Sequence, residues 1–126
     1  MAKILIIEDN GPLRTLLKEA LSPEGHEIIE AADGSEGIKL IEREPFDLVI
    51  TDIVMPRRWG IEAIVKLRHA RPNARVLAIS GAAKGRSTEL LKAAWSVGAN
   101  AVLAKPFTLA DLRKTIASLL SPRPGT

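Results

Sequence analysis

The chain has 126 residues, enough for one domain and too few for a second of ordinary size. It carries no cysteine, which excludes disulfides, thiolate metal ligands and thiol nucleophiles together. A net charge of +3 spread along the chain and an aromatic content of 3% leave no basic, stacking platform for nucleic acid, so no direct nucleic-acid contact is expected.

Lys3 to Ile7 (Lys-Ile-Leu-Ile-Ile) is a short apolar run closed by Glu8-Asp9, and it predicts a buried strand. It is too short for a secretory signal or a membrane span, so a cytoplasmic protein without membrane contact is expected. Asn10-Gly11-Pro12 opens a helix, Asn as the N-cap and Pro in the first turn, where a missing N–H costs nothing. Leu13, Leu16, Leu17, Ala20 and Leu21 recur at three and four and form its apolar stripe, and Ser22-Pro23-Glu24-Gly25 stops it. The cycle then repeats. His26–Ala31 is a second strand, followed by a helix from Asp33-Gly34 carrying Gly37, Ile38 and Ile41. Phe46–Thr51 is a third strand, and Ile61, Ile64, Val65 and Leu67 mark a third helix that ends before Pro72. Arg75–Ser80 is a fourth strand, with Leu90, Leu91, Ala94 and Val97 on a fourth helix ending at Gly98. Ala101–Ala104 is the fifth strand, and Leu109, Leu112, Ile116, Leu119 and Leu120 stripe the last helix. Such alternation predicts βαβ crossovers, a doubly wound α/β domain and a parallel sheet covered on both faces. Strand order is not readable from periodicity.

In a sheet of this kind ligands collect beyond the carboxyl ends of the strands. There the sequence places Glu8 and Asp9, Asp52, Ser80 and Lys105, each directly after an apolar strand. Singly, each has an ordinary explanation as a helix cap, a turn residue or a solvated amine. Together they place three carboxylates at one edge. One such pair at ~4 Å costs about 4 kcal/mol at an effective dielectric of ~20. The cluster therefore asks for a cation, and all-oxygen ligands favour Mg²⁺ or Mn²⁺ over zinc.

These residues resemble the receiver domains of bacterial response regulators, in two-component signalling. The likeness rests on Glu8-Asp9, on Asp52 within Leu-Val-Ile-Thr-Asp-Ile-Val-Met-Pro (48–56), on Ser80-Gly81-Ala82 and on Lys105-Pro106-Phe107, and it runs from residue 3 to about 120. It implies a flavodoxin-like (βα)5 fold with strand order 2-1-3-4-5, which makes strands one and three neighbours. It further implies that Asp52 is a phosphoacceptor served by a sensor histidine kinase or a phosphotransfer protein. Mg²⁺, or Mn²⁺, would be held by Glu8, Asp9, Asp52 and the backbone carbonyl of Val54. Lys105 and Ser80 would contact the phosphoryl group, and a cis peptide would precede Pro106. The implied chain is no enzyme beyond its own phosphorylation and dephosphorylation, and it is a monomer or weak dimer. Its output face would be the fourth helix, fifth strand and fifth helix, where Leu91 and Trp95 are candidates for contact with a downstream protein.

Departures from the family carry expectations too. Val102 stands where the family often has Tyr or Phe, so readout must proceed by backbone shifts around Ser80 and the fourth helix rather than by a rotating ring. Arg57-Arg58-Trp59 is unusual, with Trp59 read as a loop cover. Val54 and Ala82, two residues after the acceptor and the hydroxyl, cannot orient a water through their side chains, so a long-lived phosphorylated state is expected. Residues 1–120 are read as the receiver and 121–126 as a disordered tail, which points to a single-domain regulator. Two competing readings remain. A phosphorylation-independent pseudo-receiver is disfavoured because no essential residue is missing. A haloacid-dehalogenase-type hydrolase is disfavoured by Val54, where that chemistry needs a second Asp.

Overall fold

The computed structural model describes residues 2–53, 59–80, 87–105 and 107–120, with the backbone alone at 59–60 and 87–91. The elements are β1 (Lys3–Ile7), α1 (Gly11–Leu21), β2 (Glu27–Ala31), α2 (Gly34–Arg43), β3 (Leu48–Asp52), α3 (Trp59–Ala70), β4 (Arg75–Ser80), α4 (Ser87–Ser96), β5 (Ala101–Ala104) and α5 (Leu109–Leu120). Local chemistry sets the helix starts. The Asn10 side chain accepts from the Leu13 N–H at 3.0 Å, and the Asp33 side chain accepts from the Glu36 N–H at 2.8 Å. At α5 the Thr108 hydroxyl accepts from the Asp111 N–H while the Asp111 carboxylate faces the Thr108 N–H, a reciprocal capping box.

The strands pair in the order β2-β1-β3-β4-β5, all parallel, as the resemblance implied. Alternation along each strand divides the core into two layers. Ile4, Ile6, Leu48, Ile50, Leu77 and Ile79 pack under α1 and α5 with Leu17, Leu21, Leu112 and Ile116. Leu5, Ile7, Val49, Val76 and Ala78 pack under α2, α3 and α4 with Ile41, Ile64, Leu67 and Ala94. The approach of α2 is close enough that a Cβ added at Gly37 would lie 2.5 Å from Ile7 Cδ1, so any larger residue there would force the Ile7 side chain to move.

Among the described residues, three of the stripe prove exposed: Leu16, Val65 and Leu109. These helices bury a narrower arc than their apolar residues span: Leu17, Ile64 and Leu112 of the expected stripes are buried, and Ala63, not expected there, is buried with them. β2 starts one residue later than read, at Glu27, and β3 runs from Leu48 to Asp52 rather than from Phe46 to Thr51. Phe46 is buried beneath Lys3, whose ammonium lies 5.3 Å from the ring centre, so its apolarity marks core rather than ladder. The expectations on the Val54 carbonyl, on Arg57 and Arg58, on the Trp59, Leu90 and Leu91 side chains, on Ala82, on the Lys105–Pro106 peptide and on residues 121–126 lie outside what is described.

At the edge opposite the carboxyl ends, one side chain joins three segments. The Arg68 guanidinium donates to the carbonyl of Gly98 from Nε at 3.0 Å and from Nη2 at 2.6 Å, and to that of Pro72 at 3.0 Å. It also donates to the Ala74 carbonyl and to Asn100 Oδ1, which in turn accepts from the Val76 N–H at 2.9 Å. Gly98 has φ of +113°, and a Cβ there would lie 2.8 Å from Arg68 Nε, so the tie requires both residues. Burial lowers the guanidinium pKa from its usual value, yet these five donors remain occupied. Arg68→Met should therefore cost about 2–4 kcal/mol in urea unfolding, because it leaves several part-buried carbonyls unsatisfied. Arg68→Lys should recover less than half of that, since a point ammonium cannot reproduce the fork.

Candidate functional site

Register brings the acids together. Ile7 of β1 pairs with Thr51 of β3, so one residue further on Glu8 and Asp52 stand abreast at the carboxyl edge. The ladder continues past the strand ends: the Glu8 N–H donates to the Ala31 carbonyl at 3.1 Å, and the Ile53 N–H donates to the Ile79 carbonyl at 2.9 Å. On the far side the Lys105 N–H donates to the Ser80 carbonyl at 2.7 Å, which ties the lysine to the hydroxyl residue through the backbone. Oxygen atoms of Glu8, Asp9 and Asp52, one from each, lie within 4.8 Å of one another. Lys105 Nζ is 2.9 Å from Asp52 Oδ2 and 3.8 Å from Glu8 Oε1. Four of the residues singled out in the sequence thus converge. Ser80 joins them as the buried end of β4, and its hydroxyl has no hydrogen-bond partner among the described residues.

The electrostatics follow from burial. Glu8 is 1% exposed and Asp52 4%, whereas Asp9 faces solvent. The Glu8 carboxyl is pushed up to about 7, chiefly by burial and further by the Asp52 charge, against the opposing influence of the Asn10 N–H and Lys105. The Asn10 N–H donates to Glu8 Oε2 at 3.1 Å, while Oε1 is buried with no hydrogen-bond partner among the described residues and only Lys105 Nζ at 3.8 Å. A buried carboxylate oxygen without a hydrogen-bond donor, beside two further carboxylates, fits a hard divalent cation, because all the donors are oxygens.

Sequence reasoning missed two neighbours of this cluster. Arg14, on the second turn of α1, donates from Nη1 to the Glu8 carbonyl at 2.7 Å. Fully buried Thr51 precedes Asp52, and its hydroxyl lies 3.2 Å from the Asp52 carbonyl. Neither carries a sequence signal, since both act on backbone atoms.

Glu8 makes the fold sensitive to pH. In the unfolded chain its carboxyl ionises near 4.5, in the folded chain near 7. The unfolded state therefore releases the proton first as pH rises, and folding stability falls between those values. In EDTA, Glu8→Gln should unfold at higher urea than wild type at pH 8, by about 1–3 kcal/mol. The gap should narrow towards pH 5.

Comparison with known proteins sharpens the picture. A family model described as the response regulator receiver domain matches residues 4–117. Transcriptional regulatory protein PdtaR of Mycobacterium tuberculosis is 39% identical over 122 residues, covering 94% of this chain and 57% of PdtaR. The chain therefore spans little more than half the length of that relative. The probable chemotaxis protein CheY of Rhizobium etli is 36% identical over 118 residues, covering 93% of this chain and 91% of its own. Response regulator protein TrrA from Thermotoga maritima, solved in complex with Mg(2+)-BeF, is similar with a TM-score of 0.81 at 32% identity, covering 95% of this chain and all of its own.

Proposed function

The chain belongs to the receiver domains of two-component response regulators, a family phosphorylated on aspartate, and from that premise we propose that Asp52 is its phosphoacceptor. The observation that carries this reading is the meeting of Glu8, Asp9 and Asp52 at one edge with Lys105 in contact with Asp52. An Asp52 carboxylate oxygen attacks the phosphorus of a phosphohistidine on a histidine kinase or phosphotransfer protein. An O–P bond forms and the P–N bond breaks, and the departing imidazole keeps the electron pair and takes up a proton. Glu8, Asp9 and Asp52 would hold Mg²⁺, with Mn²⁺ as a substitute, and the ion would offset charge on the transferring phosphoryl oxygens.

The protein groups divide the remaining work. Lys105 supplies a compact cation beside the acceptor oxygen, placed by its backbone bond to Ser80. The buried Ser80 hydroxyl is a donor without a partner among the described residues, available to a phosphoryl oxygen. In this reading the chain catalyses only its own phosphorylation and dephosphorylation, in the cytoplasm; among the described residues no helix is long and apolar enough to cross a membrane.

Output is proposed to run through the face of α4, β5 and α5. On α4 the fully buried Ala94 faces the sheet and Trp95 is 52% exposed, a large apolar surface open to a partner. Val102 packs against the α2–α3–α4 layer, so no aromatic ring at that position can swing to signal the change. Backbone movement around Ser80 and α4 is left as the route.

Two experiments test these assignments. Acetyl phosphate with Mg²⁺ should add one phosphate to the wild-type chain by intact mass, and none to Asp52→Asn or to an EDTA-treated sample. Labelling that persists in Asp52→Asn would overturn the assignment. Trp95→Ala should shift urea unfolding by less than about 1 kcal/mol while weakening binding of the phosphorylated protein to its target. A loss above about 3 kcal/mol would mark Trp95 as core instead.

A further inference from the structure

We propose that Arg14 is the positioning residue of the acid pair, setting the Glu8–Asp9 peptide so that Asp9 meets Glu8 and Asp52; the inference rests on the metal reading of that site. The carbonyl that Arg14 Nη1 holds at 2.7 Å belongs to the peptide linking the two acids. Its orientation fixes where the Asp9 side chain leaves the backbone. Asp9 is exposed, so packing does not hold it, whereas its partners in the cluster are buried. The same guanidinium is braced from the other side, with Nε 3.4 Å from Glu30 Oε1, and Glu30 also takes Lys18 Nζ at 3.3 Å. β2 thus serves as a strut: Glu30 steadies Arg14, and Ala31 holds the Glu8 N–H. The acid turn is then fixed at three points, the Glu8 N–H, the Glu8 carbonyl and the Glu8 carboxylate on the Asn10 N–H.

Charge and geometry predict opposite signs, which makes the role testable. Arg14 is a cation beside a cation-binding site, and by Coulomb's law alone its removal would tighten the binding of a divalent ion. As a positioning residue, its removal loosens the Glu8–Asp9 turn and weakens that binding, as loss of an outer contact commonly does by tenfold or more. Arg14→Lys separates the two effects. It keeps the charge, but an ammonium cannot span the Glu8 carbonyl and Glu30 at once.

The test is Mg²⁺ binding by isothermal titration calorimetry on the full chain, with urea unfolding in EDTA as the parallel readout. Arg14→Gln and Arg14→Lys should each raise the Mg²⁺ dissociation constant by about tenfold. Glu30→Gln should raise it by less, because the carbonyl contact survives. Arg68→Met, destabilised at the opposite edge, should bind Mg²⁺ like wild type, which separates positioning from general loss of stability. Unchanged or tighter binding in Arg14→Gln would overturn the proposal. Were that variant unfolded, unchanged binding in Arg14→Lys and Glu30→Gln would do the same. Absence of binding by wild type would overturn the metal reading and this inference with it, whereas normal wild-type binding with unaltered variants overturns the inference alone.

Discussion

Like charges gathered at the carboxyl edge of a parallel sheet oppose folding, and this chain gathers three of them within 4.8 Å. The strand order makes the gathering unavoidable. With β1 beside β3 and Ile7 in register with Thr51, the residues that follow each strand have nowhere else to go. Much of the surrounding structure can be understood as a response to that repulsion. Lys105 reaches back from β5 to sit against Asp52 and near Glu8. Glu8 holds its proton to about pH 7, which removes one charge from the cluster across the acidic half of the pH scale. Arg14 and the Asn10 N–H take the polar atoms of the turn that the acids leave unpaired. A site kept under this tension is poised for a ligand that resolves it, and stability is held below its maximum where chemistry requires charge.

The two core layers make the tension tolerable. Apolar residues on both sides of every central strand hold the sheet rigid up to its carboxyl edge, so repulsion cannot relax by spreading the strands. Where α2 meets β1 at Gly37 and Ile7, the fit leaves no room for sliding. At the edge itself the described side chains turn polar, with Glu8, Asp52 and Ser80 buried and Asp9 exposed.

Much of this was legible in the sequence, for identifiable reasons. Short apolar runs ending in Glu8, Asp52, Ser80 or Lys105 mark strands and the groups at their tips, because a buried strand must be apolar and its end need not be. Caps such as Asn10 and Asp33 announce helix starts through their own side chains. The order of the strands was carried by family resemblance alone, since periodicity says which residues are buried and not beside what. Leu16, Val65 and Leu109 misled because helical spacing gives a direction and not the width of the covered arc. Arg14 and Arg68 were invisible for a different reason. Most of the groups they bind are main-chain carbonyls, and every residue has one, so residue type does not mark those contacts.

Neutral partners make the Arg68 tie insensitive to conditions that act on ion pairs. The oxygens Arg68 binds are neutral, belonging to the Pro72, Ala74 and Gly98 peptides and the Asn100 amide. A charge held by dipoles in a part-buried setting changes little with salt, and among the described residues Arg68 has no acidic partner to be lost on protonation. Glu8 gives the acid edge a dependence on pH near neutrality that the Arg68 tie at the opposite edge does not share. The Arg68 tie is therefore built to keep its bonds while the charge at the acids changes.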